Sequence, residues 1–323
     1  MANLPEERVI PTRIFQSVGI DYCGPIIIKQ STLRKPVTTK GYIAVFVCMA
    51  SKTVHLELVS DLSTNAFMAA LTRFTARRGT PSLIFSDNGT NFQGASNQLN
   101  KLYQLLKDKK HSKALDEYST SKQITWKFIP PNSPHWGGLW EASVKSVKFH
   151  LNRITHNSHL TFEQFSTLLS QIELVLNSRP LCGLSSDPND FSYLCPMHFI
   201  TGDYNQQLPE EDLISKKFNT LRIYGQITQM KQHFWSKWSK DYLSQLQNRP
   251  KWSDVKPNIT IGALVLVRDD NLPPGQWSLG RVQETYPGPG GYVRVVLIKT
   301  QSGTYKRPIT KLAPLPVSTT QGI

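Results

Sequence analysis

Residues 83–92 read LIFSDNGTNF, an apolar run of Leu83, Ile84 and Phe85 that meets Ser86 and Asp87 and then Asn88-Gly89-Thr90-Asn91. The run predicts a short strand, and Pro81 just before it marks where the strand begins. Two readings make Asp87 incidental. Asn-Gly after a strand signals a hairpin, and Asn88-Gly89-Thr90 matches the acceptor sequence for N-glycosylation. A third reading has the strand end in order to present a carboxylate. Which one holds depends on the other acids that the chain places at similar positions.

Upstream, residues 15–29 are strand-like, with Asp21 interrupting the apolar pattern and Ile26-Ile27-Ile28 closing it. Residues 41–50 form a continuous apolar run, as expected of a strand covered on both faces. Residues 53–59 alternate, with Val54, Leu56 and Leu58 on one side, which predicts a half-buried strand. Ser63 suits the N-cap of a helix through Phe67, Leu71 and Phe74, and Gly79 stops it. Helical patterns follow at 92–107, 137–156 and 161–177, with a short strand at 125–129. Three consecutive strands followed by alternating helices and strands predict a mixed α/β sheet flanked by helices.

From about residue 206 the texture changes. A polar helical stretch carrying Trp235 and Trp238 runs to about 248. After Pro257 come short β-runs at 263–268, 279–286, 292–299 and 304–308, separated by Pro-Pro-Gly, Pro-Gly-Pro-Gly-Gly and Ser-Gly. That spacing predicts a small all-β barrel. The expected organisation is an N-terminal arm over 1–12, an α/β core over 13–205, a helical linker over 206–256, a small basic β-barrel over 257–312 and a tail over 313–323.

The 323 residues are 39% hydrophobic and 19% charged, a folded rather than a disordered composition. Lys and Arg number 37 against 23 Asp and Glu, net +14, which favours a polyanionic partner. Residues 206–323 carry 16 basic and 8 acidic residues, net +8 over 118 positions, leaving 21 and 15, net +6, for residues 1–205. The C-terminal part is therefore the more basic per residue. No apolar h-region opens the chain, and no stretch reaches the roughly 18 apolar residues of a membrane span. The four cysteines, Cys23, Cys48, Cys182 and Cys195, form no CxxC pair. A reducing intracellular compartment is expected, with the acceptor at Asn88 unused and no secretion. Cys182, Cys195 and His198 lack paired metal-ligand spacing and read as buried thiols rather than a zinc site.

Asp21 and Asp87 have a third companion. Glu141 stands in HWGGLWEASVKSVK, residues 135–148, where Gly137-Gly138 precede an amphipathic helix. A carboxylate in an apolar run is costly unless it is paired or bound to a cation. One such residue is usually a satisfied polar group. Three at the edges of core elements point to metal-dependent phosphoryl transfer, in which two Mg²⁺ or Mn²⁺ ions about 3.5–4 Å apart are held by oxygen ligands. Glu141, Lys145 and Lys148 are spaced i, i+4, i+7 and share one helix face. An ordinary Glu–Lys surface pair has the same spacing.

The order Asp, Asp-Asn-Gly-Thr-x-Phe, Glu-x-x-x-Lys-x-x-Lys resembles the catalytic core of retroviral and LTR-retrotransposon integrases. GIDYCGP at 19–25, FSDNGTNFQGA at 85–95, HWGGLWEASVKSVK at 135–148 and LNSRPL at 176–181 are most similar to the BEL/Pao branch. The separation 141 − 87 = 54 is similar to the long Asp–Glu interval of that branch. The likeness spans roughly residues 12–205, and residues 262–282 look like the small barrel that often follows such a core.

The resemblance implies a ribonuclease H-like core followed by an SH3-like barrel. It implies Asp21, Asp87 and Glu141 as catalytic metal ligands for two Mg²⁺ or Mn²⁺ ions, and Lys145 and Lys148 on the element's DNA end. Asn88 and Gly89 would shape the turn behind Asp87, with residues 130–136 as the loop before the catalytic helix. The expected activity is 3′-end processing and strand transfer into target DNA, by a homo-oligomer acting in the nucleus after cytoplasmic synthesis. In the barrel, Arg268, Arg281, Arg294, Lys299, Lys306 and Arg307 are expected on phosphates, and Trp252 and Trp277 in its core or rim. Nothing before Asp21 supplies the His-His-Cys-Cys zinc domain of such integrases, so an excised fragment, a truncated frame or a host-adopted remnant is expected. The rival expectations are an idle nucleic-acid-binding remnant and a hydrolytic nuclease of the same fold.

Overall fold

The computed structural model describes residues 6–31, 36–108, 123–129, 134–155, 160–185, 187–203, 208–247, 258–269 and 271–316, with side chains for all of these except 102–108 and 134–144. The helices are α1 (Glu6–Val9), α2 (Thr64–Arg78), α3 (Thr90–Asp108), α4 (Pro134–Thr155), α5 (Phe162–Asn177), α6 (His198–Thr201) and α7 (Ile223–Leu246). The strands of the first sheet are β1 (Ser17–Lys29), β2 (Thr38–Cys48), β3 (Val54–Val59), β4 (Leu83–Ser86), β5 (Thr125–Phe128) and β6 (Leu160–Thr161). Then come β7 (Cys182–Gly183), β8 (Tyr193–Leu194), β9 (Leu264–Val267), β10 (Ser278–Pro287), β11 (Val293–Thr300), β12 (Gly303–Pro308) and β13 (Leu312–Pro314).

Two compact units divide the chain, residues 1–173 and 174–323. The first is built on a sheet of order β3-β2-β1-β4-β5, with β6 alongside β1. β1, β2 and β3 run antiparallel, whereas β4 and β5 run parallel to β1. This is the mixed sheet flanked by helices that was expected. In β1 the pairing slips between Cys23 and Ile26, at Gly24, whose φ of +136° suits glycine alone.

Strand alternation sorts the two faces of β1. Val18, Ile20 and Tyr22 turn to one side and pack with Phe67 and Phe74 of α2 and Phe92 of α3. α2 forms where Ser63 Oγ accepts from Ala66 N–H (3.2 Å), and it ends at Gly79, φ +84°. Its inward stripe is Phe67, Ala70, Leu71 and Phe74, with Phe74 stacked on Phe46 of β2 at 4.4 Å between centroids. Truncating one of these fully buried rings to alanine costs about 3–5 kcal/mol. Asp21 belongs to the other side, where α4 packs along β1.

β3 departs from the half-buried strand expected of its alternation: all six of its residues are buried. The polar ones are accommodated because His55 and Glu57 find charged partners from α2 and α5.

The second unit carries an all-antiparallel five-stranded sheet of order β12-β11-β10-β9-β13. Residues 174–203, assigned to the core by the sequence, group with this unit: Tyr193, Cys195 and Met197 pack with Leu243 of α7 and with Leu264, Leu266 and Leu279. The 206–256 stretch is likewise no bare linker. α7 buries Phe234, Trp235 and Trp238, and Trp277 meets Trp235 edge-on at 4.8 Å. β13 reaches Pro314 and Leu315 is buried, so the sheet runs past the expected limit at 312. Trp252 lies outside the described residues.

Candidate functional site

β1 and β4 are neighbours and parallel, and Gly19 opposite Phe85 is the last paired step between them. Two residues beyond it on one strand is Asp21 (19 + 2), and two beyond it on the other is Asp87 (85 + 2). Neighbouring strands lie about 4.8 Å apart, so both aspartates emerge at the same end of the same strand pair. β4 ends at Ser86, one residue before Asp87.

Behind Asp87 the chain makes a turn into a helix, not a hairpin. Asp87 Oδ1 accepts the Gly89 N–H (3.0 Å), and α3 starts at Thr90. Asn88 Nδ2 donates to the carbonyl of Ile129 (2.9 Å), tying the turn to the end of β5, and Gln93 Nε2 donates back to Asn88 O (3.1 Å). A Cβ on residue 89 would lie 2.7 Å from Asn91 Oδ1 and 3.1 Å from Asp87 Oδ1, so a side chain here would push on the end of this carboxylate. Trp126 Nε1 donates to Ser86 Oγ (2.9 Å) and pins the last residue of β4.

Asp21 is held from two sides. Its Oδ1 accepts the Tyr22 N–H (2.7 Å) and its Oδ2 accepts from Lys148 Nζ (2.9 Å). That ion pair fixes which face of α4 looks at β1. Glu141 lies in the same helix seven residues earlier, hence on the same face and about 10 Å nearer the helix N-terminus. The Glu141 side chain is outside the described residues, as are residues 130–133; Gly137 and Gly138 fall within the helix, which starts at Pro134. Lys145 is exposed while Lys148 is half-buried on Asp21, so the two lysines of the stripe are not equivalent. The sequence pattern carried no sign of that difference, since both spacings suit one face.

Two aspartates at one sheet end offer only oxygen donors, the chemistry of a hard divalent cation. Among the described residues no group of three His, Cys, Asp or Glu side chains is placed to hold a metal ion.

In the second unit, Arg268, Arg294 and Lys306 are exposed and Arg307 is partly so. The Lys306 ammonium sits 4.5 Å from the centroid of Tyr286, and the Arg307 guanidinium 5.2 Å from that of Tyr305. Lys299 Nζ donates to Asn189 Oδ1 (2.7 Å). Arg281 differs from the surface cations it was grouped with. It is 5% exposed and donates to the carbonyls of Gly262 (3.1 Å) and Ser185 (2.7 Å), which makes it an internal brace. Its place mid-strand in an apolar run was the available signal. Cys195 Sγ lies 3.1 Å from His198 Nδ1, and burial pushes the Cys195 and Cys182 thiols above their ordinary range.

Residues 222–315 match a family described as a family of unknown function (DUF5641). No curated protein matches the chain. Among solved structures, a chain of the simian T-cell lymphotropic virus intasome in complex with PP2A regulatory subunit B56 gamma is 14% identical. That match covers 98% of this chain and 85% of the other, with a TM-score of 0.36. The HTLV-2 integrase catalytic core domain in complex with magnesium, in its dimeric form, is 17% identical over 51% of this chain and 88% of its own, with a TM-score of 0.31. At such scores neither likeness carries an argument about chemistry.

Proposed function

We propose that this chain is a metal-dependent polynucleotidyl transferase of the integrase kind, of BEL/Pao type, that trims a DNA 3′ end and joins it to target DNA. The observation that supports the reading is the matched offset of Asp21 and Asp87 beyond the last paired step of two adjacent parallel strands. Two bound Mg²⁺ or Mn²⁺ ions would activate the attacking oxygen and stabilise the leaving one. Asp21 and Asp87, joined by Glu141 from α4, are the residues that would hold them. The Gly89 turn sets the Asp87 carboxylate, and exposed Lys145 meets the phosphate backbone near it. In the second unit Arg268, Arg294, Lys306 and Arg307 add sequence-independent contacts to phosphates. Action as a homo-oligomer on nuclear DNA belongs to the same reading.

The test is a supercoiled-plasmid assay with Mg²⁺ or Mn²⁺ on the full chain and on Asp87→Asn. Nicking and joining by the wild type, lost in the variant with DNA binding retained, is the expected result. Nicking without joining would identify a hydrolytic nuclease. Binding without either reaction, or equal activity in both proteins, would overturn the proposal.

A further inference from the structure

Beyond Lys145, the outward side of α4 carries residues that the proposed chemistry does not use. Its inward side is Val147, His150 and Leu151, all buried. On the outward side Lys145, Phe149 and Arg153 follow at i, i+4 and i+8, a stripe about 12 Å long. Phe149 is 51% exposed, and the Arg153 guanidinium lies 4.7 Å from its ring centroid. The ring of His150 meets it edge-on at 5.2 Å. The residue just before Phe149 is Lys148, the ammonium on Asp21.

A single exposed apolar residue needs no explanation by itself. The company of Phe149 is what gives it meaning. A ring that serves a protein interface is surrounded by other apolar side chains, whereas here the outward neighbours are Lys145, Ser146, Asn152 and Arg153. Two cations one turn either side of an aromatic face complement a polyanion that also carries flat rings, which is a nucleic acid. Bases inside a duplex already have both faces covered by their neighbours, so an external ring can stack only on a base that is unpaired or turned out.

We infer that Phe149 is a stacking platform for an unpaired base, with Lys145 and Arg153 on the phosphates to either side. The site then takes its nucleic acid as a single strand or an unpaired strand end, in preference to a continuous duplex. This rests on the polynucleotidyl-transferase reading and adds the form of the substrate to it.

The full chain is titrated with a fluorescent single-stranded oligonucleotide and with a duplex of the same length, for wild type, Phe149→Ala, Phe149→Leu and Phe149→Tyr. Phe149→Ala and Phe149→Leu should weaken single-strand binding about tenfold and duplex binding less than twofold, and Phe149→Tyr should restore the wild-type value. An oligonucleotide carrying 5-iododeoxyuridine should photo-crosslink to the tryptic peptide of residues 149–153, which follows Lys148 and ends at Arg153. Equal effects on both oligonucleotides, or a crosslink only elsewhere, would overturn the inference while leaving the proposed function intact. Loss of an oligomer on Phe149→Ala with nucleic-acid affinity unchanged would instead assign the ring to a second copy of the chain. A wild-type chain that binds neither oligonucleotide would remove both the inference and the reading beneath it.

Discussion

The ammonium of Lys148 lies 2.9 Å from Oδ2 of Asp21, with the two side chains 35% and 28% exposed. Lys148 therefore occupies the carboxylate that the proposed chemistry assigns to a cation, and it is not a lysine waiting in solvent for a phosphate. Ammonium and metal compete for the same oxygen. Lys148→Ala should tighten Mn²⁺ binding about two- to fivefold, the weight of a partly exposed ion pair. Lys145→Ala should weaken DNA binding and leave Mn²⁺ affinity unchanged. Calorimetric titration with Mn²⁺ checks both, and equal metal affinities in wild type and Lys148→Ala would show that the pair does not guard the site.

Gly89 sets the second carboxylate. In Gly89→Ala the new methyl would press on Asn91 Oδ1 and Asp87 Oδ1, and these side-chain ends must shift to relieve it. Because the strain falls on an exposed turn, thermal stability should fall by no more than about 1 kcal/mol. Metal affinity and plasmid nicking should drop at least tenfold, since Asp87 loses its position. A variant that melts like wild type and nicks like wild type would show that the turn does not aim the carboxylate.

Arg281 and Arg307 separate bracing from binding. Arg281→Gln takes the guanidinium donors of a buried side chain from the carbonyls of Gly262 and Ser185, a loss of about 1–3 kcal/mol. Lys306→Ala with Arg307→Ala, on the open edge strand β12, should leave the melting curve unchanged and reduce the salt slope of DNA binding by about 0.9 for each phosphate no longer neutralised. Fluorescence anisotropy across a salt series, run beside thermal melts, distinguishes them. A salt slope unaltered in the double variant would remove β12 from the DNA-binding surface.

What could be read in advance followed from local physics. The apolar run closed by Asp87, the Ser63 cap, the Gly79 stop and the turn-separated β-runs each carry their signal within a few residues, and their elements appear within a few residues of the expected limits. What could not be read needs partners distant in sequence. The alternation of 54–59 gave no notice that His55 and Glu57 are buried, because their partners Arg73, Arg77 and Glu173 come from two later helices. Residues 174–203 carry motifs that resemble the core, yet their apolar side chains are spent against α7 and β9. Lys148 and Lys145 look alike in a helical stripe, and only the packing of α4 on β1 tells them apart.

The His55 cluster makes the last prediction. His55 is buried, with Nδ1 3.0 Å from Glu173 Oε2 and Nε2 3.1 Å from Glu57 Oε1. Both ring nitrogens face carboxylates, which favours the imidazolium, while Arg78 Nε also donates toward Nδ1 at 3.4 Å. Burial and the nearby Arg78 work against that charge, but the ring's hydrogen bonds to the Glu173 and Glu57 carboxylates outweigh them and hold His55 above its ordinary value. Burial likewise acts to raise Glu57 and Glu173, and their bonds to His55, with Arg73 and Arg78 beside them, bring both below the ordinary carboxylate value. The signs follow. The raised histidine contributes stability that is complete below its unfolded pKa of about 6.5 and is lost as pH rises through its folded value. The lowered carboxylates contribute stability that is present above their unfolded values and is lost as pH falls through their folded ones. The first unit should therefore be most stable between these limits and weaken as pH rises above about 6.5 and through the folded value of His55. In His55→Gln two buried carboxylates lose the cation between them, which costs about 3 kcal/mol near pH 6, and the decline with rising pH should shrink because His55 no longer titrates. Thermal melts from pH 5 to 9 on both proteins test this, with the His55 ring followed by NMR. An alkaline decline of the same size in the variant would place its origin outside the cluster.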